Sequence, residues 1–130
     1  MVLPLSDQQL DELRFSLANV APFGLTYGPL TSIGPHPGVV FAITPESAFF
    51  TLRAVIQSTS IFAGRDAHRG DRFPHMTITE FISLEETHYL LAELRDAVSG
   101  GSFFCDHVVC AVPDATFHFE PVLTVPVGCP

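Results

Sequence analysis

Arg72-Phe73-Pro74-His75-Met76-Thr77-Ile78 is the stretch whose reading decides the fold. A strand's two-residue period sets His75 and Thr77 on one face and Met76 and Ile78 on the other. On that reading one face does chemistry and the other is anchored in a core. Pro74 has no N–H to donate, which suits the start of a short strand. An imidazole beside a hydroxyl suits a phosphoryl group: the ring moves a proton while the hydroxyl holds an oxygen.

Working outward, Ser83 and Glu86 form a capping box, and Leu84, Tyr89, Leu90, Leu91, Leu94 and Val98 mark a helix that ends at Gly100-Gly101. Two β-rich runs follow, Phe103 to Val112 and Thr116 to Val127, joined at Pro113-Asp114-Ala115 as a hairpin. Upstream, Ser58 to Phe73 carries glycines and three arginines and reads as a surface loop. Before it, Ser6 and Gln9 make another capping box, and Leu10, Leu13, Leu17 and Val20 predict a helix over about residues 7–20, closed by Pro22. Phe23–Leu30 and Val39–Thr44 predict a hairpin, and a helix follows from Pro45 through Ile56.

The second half therefore runs strand, helix, hairpin, and the first runs helix, hairpin with nothing in front. The fold expected is α+β: a pseudo-symmetric two-lobed domain with antiparallel sheets and helices packed outside. Lobe 1 covers about 1–57 and lacks its leading strand; lobe 2 covers about 58–130.

At 130 residues the chain is one domain by size and buries a core without disulfides or metals. Cys105, Cys110 and Cys129 are odd in number with no Cys-x-x-Cys spacing, so they read as reduced thiols. No apolar run is long enough to cross a bilayer, and Met1–Leu5 lacks the basic start of a signal peptide. A cytoplasmic protein with no membrane contact is expected. All six cations are arginines and the net charge is −8, which argues against extended binding to duplex nucleic acid.

The stretch from Arg72 to Ile78 resembles the second motif of the two-histidine phosphoesterase superfamily, the 2′-5′ RNA ligase-like and cyclic phosphodiesterase proteins. Pro37-Gly38-Val39-Val40-Phe41 resembles its first-lobe hairpin strand, and Val122 to Gly128 its final strand. The resemblance implies a pair of His-x-Thr-x tetrads flanking a phosphodiester, one histidine as base and the other as acid, with the threonines on the non-bridging oxygens. It implies no cofactor and no metal. Only His75 and Thr77 match by motif. Members carry the other tetrad on a strand ahead of the first helix, where this chain has Met1-Val2-Leu3-Pro4-Leu5. The expectation is that the chain begins just after a first tetrad, by a misplaced start codon or a truncation.

Four sources of a second acid or base stay open: His36, His68, a partner chain and the missing segment. His36 sits in Pro-His-Pro-Gly with no hydroxyl two residues on, so it is not a second tetrad. Arg69 and Arg72 lie directly before the strand and are candidate phosphate ligands with His68, although Asp66 and Asp71 also offer them partners on a solvated loop. His107, Cys110 and His118 share the last hairpin, with Cys110 and His118 placed as cross-strand neighbours, but a third and fourth donor are lacking and no metal site is expected. His88 reads as a surface residue.

Two functions from different classes follow. One is a phosphoesterase acting on a 2′,3′-cyclic phosphate or 2′-5′ phosphodiester in a nucleotide or RNA end. The other is a silent module that binds a phosphorylated ligand, or oligomerises through the unfilled sheet position of lobe 1.

Overall fold

Both capping boxes form as their spacing predicts. The computed structural model describes residues 5–32, 37–63, 73–116 and 118–128. The Gln9 N–H donates to Ser6 Oγ at 3.1 Å, and the Ser6 N–H donates to Gln9 Oε1 at 3.0 Å, starting α1 (Asp7–Ala18). The Glu86 N–H donates to Ser83 Oγ at 3.0 Å, starting α3 (Leu84–Leu94). Between them come β1 (Phe23–Thr31), β2 (Gly38–Thr44), α2 (Glu46–Gln57), a 3₁₀ turn (Ser60–Phe62) and β3 (His75–Glu80); β4 (Gly101–Cys105), β5 (His107–Pro113) and β6 (Phe119–Pro126) follow. The described residues form an α+β arrangement of three helices and six strands in two sheets. No described helix is long and apolar enough to cross a membrane.

The chain forms two compact units, each drawing on both halves of the sequence. The expected lobes, 1–57 and 58–130, are thus each shared between units. The first unit holds α1, most of α2, the 3₁₀ turn and the β5–β6 hairpin. Its core is Leu13, Leu17, Leu52, Val125 and Val127, with α1 packed on β6. The Gly128 N–H donates to the Leu17 carbonyl at 2.9 Å, tying the end of β6 to the helix.

The second unit holds β1, β2, β3, α3 and residues Gly101–Phe103 of β4, in the sheet order β3-β2-β1-β4. β2 lies between β1 and β3 in antiparallel ladders, and it is buried along most of Gly38–Ile43, as a central strand should be. Tyr27 stacks edge-on against Phe41 at 5.3 Å between ring centroids. α3 packs on β2.

Several boundaries differ from the sequence reading, among them a strand break and two helix ends. Phe103–Val112, expected as one strand, is two strands in different sheets. The break is Asp106, whose carbonyl accepts the Val127 N–H at 2.8 Å and whose carboxylate accepts from the His107 ring at 2.7 Å. A short acidic side chain that bonds its own neighbour ends a ladder. α3 stops at Leu94, with Arg95 as its C-cap, and the Ala97 N–H beyond it bonds the Leu94 carbonyl only three residues back. α1 stops at Ala18, with Asn19 as its C-cap.

Candidate functional site

β3 presents the tetrad at the edge of the second unit's sheet. His75 faces Ala42 and Thr77 faces Val40 across the β2 ladder, so the two side chains share a face. Both residues are exposed. The seat depends on Gly38, opposite Glu80: a Cβ there would come within 2.6 Å of the Thr79 carbonyl oxygen and 2.9 Å of Glu80 Cα. Any larger residue would push the strand away.

The opposite face differs from expectation. Met76 is 38% exposed and Ile78 46%, so neither is anchored in a core. Two features cause this. α3 covers β2 rather than the edge strand, and Val40 and Val39 face Thr77 and Thr79, leaving Ile78 as the extra residue of a bulge. Beyond the strand, Phe81 takes φ 60°, a left-handed conformation costly for a bulky residue, where the chain turns from β3 toward α3.

His75 Nδ1 lies 2.8 Å from the Phe73 carbonyl oxygen. A carbonyl only accepts, so Nδ1 carries the hydrogen and the neutral ring has its lone pair on Nε2. The ring is thus held in one tautomer with a proton acceptor to offer. The Thr77 hydroxyl has no hydrogen-bond partner among the described residues. Imidazole and hydroxyl together can take a proton from an attacking oxygen and donate a hydrogen bond to a phosphoryl oxygen.

The other candidates sort by place. His36, His68, Arg69 and Arg72 lie outside the described residues. His88 is exposed on α3. In the first unit, Cys110 faces Leu123 rather than His118, because His118 sits in the turn and a one-residue bulge at Val122 shifts the ladder. His118 belongs instead to a turn cluster: its N–H and that of Thr116 donate to Asp114 Oδ1 at 2.9 and 2.8 Å. The His118 N–H, then the Thr116 hydroxyl and N–H, hold the Asp114 carboxyl below its ordinary value of 3.8. Burial, then the Asp106 carboxylate, push the Cys105 thiol up, which keeps it protonated and a poor nucleophile.

Sequence reasoning passed over the Asp106–His107 pair and the role of the Phe73 carbonyl. An adjacent Asp-His dipeptide was a readable signal for the first. Nothing in the residue types signals the second, because a carbonyl is common to every position. An open depression lined by Tyr27, Gly28, Pro29 and Gly100 lies on the β1–β4 side of the second unit's sheet, and its lining has no imidazole, carboxylate or guanidinium.

Comparison with known proteins gives one curated relative and one family. A diaminopimelate epimerase from Natranaerobius thermophilus is 27% identical over 93 residues, covering 70% of this chain but 27% of that protein. The chain therefore spans about a quarter of that relative's length. The 2′-5′ RNA ligase superfamily matches over residues 2–116, through α1, the β1–β2 hairpin, the His75 strand and α3. With most of its length inside that match and its His-Thr pair displayed on β3, this chain belongs to the 2′-5′ RNA ligase superfamily.

Proposed function

We propose that the protein acts on the 2′,3′-cyclic phosphate or 2′-5′ phosphodiester of a nucleotide or RNA end, with His75 as one of its general acid–base groups. The observation that carries this reading is the Nδ1–H bond to the Phe73 carbonyl, which puts the neutral ring's lone pair on Nε2, on the strand face that also carries Thr77. In hydrolysis, water attacks phosphorus, Nε2 takes the water proton, and the bond to the leaving ribose oxygen breaks. A second group must protonate that oxygen. His36, His68, a partner chain and a segment ahead of the given sequence remain the candidates, and Arg69 and Arg72 would add guanidinium contacts to the phosphate.

A second reading, a module that binds without turnover, is favoured by one observation: His75 is the single histidine on the second unit's sheet among the described residues. Hydrolysis of a nucleoside 2′,3′-cyclic phosphate separates the two. His75→Ala is expected to lower the rate by about 10²–10⁴-fold. Because the side chain is exposed, the circular dichroism spectrum should not change. Activity that survives the substitution removes His75 from the mechanism. Binding by the parent protein without turnover establishes the silent module.

A further inference from the structure

We infer that Phe73 is a stacking platform for the nucleobase of the substrate held at His75 and Thr77; this rests on the phosphoester reading above. Residues 73, 74 and 75 run exposed, buried, exposed, and the Pro74 carbonyl already accepts the Ile43 N–H at 3.1 Å. The chain is therefore paired and extended before β3 formally begins, so Phe73 lies on the His75 face, roughly 6–7 Å along the strand. Phe73 is 51% exposed. Its own carbonyl holds the His75 ring at 2.8 Å, so any shift of this backbone moves aromatic ring and imidazole together.

A phosphate held between His75 and Thr77 carries its ribose and base outward along this face, and an aromatic ring one strand repeat away is within reach of that base. Stacking also suits the electrostatics. A chain of net charge −8 gains little long-range attraction for an anionic ligand, and a neutral π-face adds affinity without added cations. Every base has such a face, so this platform selects nucleotides over other phosphodiesters without selecting one base.

The chain has no tryptophan, so Phe73→Trp installs a single indole as reporter. Adenosine 2′,3′-cyclic phosphate should quench its emission saturably, and inorganic phosphate should leave it unchanged. Calorimetry should find that Phe73→Ala weakens the cyclic nucleotide by about 5- to 150-fold while inorganic phosphate binds as before. Phe73→Leu, which keeps apolar bulk without the π-face, should fall with the alanine variant. His75→Ala should weaken both ligands.

Nucleotide affinity indifferent to Phe73→Ala but reduced by His75→Ala overturns the stacking role and leaves the phosphoester reading standing. Equal loss of phosphate and nucleotide in Phe73→Ala also overturns it, since the residue would then act only through the His75 ring. If the parent protein binds neither ligand, the phosphoester reading falls and the stacking platform with it.

Discussion

The two units are built from like parts, a β-hairpin and a capped helix packed on the hairpin's second strand: α1 on β6 in one, α3 on β2 in the other. They differ in what flanks that second strand. β2 has β1 on one edge and β3 on the other and is buried nearly throughout; among the described residues β6 pairs with β5 alone, and Phe119–Pro121 is exposed. The compositions follow. Gly38-Val39-Val40-Phe41-Ala42-Ile43 is a continuous apolar run, whereas β6 carries Glu120, Thr124 and two prolines. Proline offers no N–H to a further strand and is tolerated where an edge stays open. A strand's sequence thus reports its neighbours as well as its secondary structure, and the His-Thr pair sits where the sheet supplies a fully packed neighbour.

The largest test of this comparison is the core beneath each second strand. Phe41→Ala in the second unit should cost about 3–5 kcal/mol and Leu17→Ala in the first about 2–5 kcal/mol, read by urea unfolding. A loss under about 1 kcal/mol at either site would break the parallel, because that helix or strand would then not be held by its core.

Smaller effects are expected at the caps. Ser6→Ala and Ser83→Ala should each lower stability by about 0.5–2 kcal/mol, seen as a fall in Tm. Near-equal losses would sharpen the likeness of the two units. A marked inequality would place the weaker helix under tertiary control.

The smallest effect concerns acid. The Ser60 hydroxyl and then the Ser60 N–H hold the Glu12 carboxyl below its ordinary value of 4.5, and Asp114 is likewise depressed in the β5–β6 turn. A depressed carboxyl adds stability in full above its unfolded value and loses it as the pH falls through the lower folded value. Both groups belong to the first unit. Amide protection at Ser60 and around Asp114, corrected for the intrinsic exchange rate, should therefore fall on acidification below about pH 4, before protection in β2. β2 losing protection first would reverse the expected order.

Much of this was legible in the sequence. The helix starts were, because a capping box is a local pattern of a serine and a Gln or Glu three residues on. So were the β1–β2 hairpin and the shared face of His75 and Thr77, because strand periodicity needs no distant partner. The break at Asp106 was not: the residues on either side are β-rich, and only pairing with distant segments sends β4 to one sheet and β5 to the other. The exposure of Met76 and Ile78 was hidden for the same reason, since an apolar residue signals a buried face but cannot say whether a helix will cover it.

By itself, then, the sequence determined the local elements and the chemistry of the pair, since an i, i+2 spacing and an imidazole's proton exchange belong to the residues themselves. Tertiary structure decided the rest. It made β3 an edge strand of the described sheet and put a bulge at Ile78. Strand order and bulge position are settled by which ladders form between segments far apart in the chain, and no local pattern of side chains encodes that outcome.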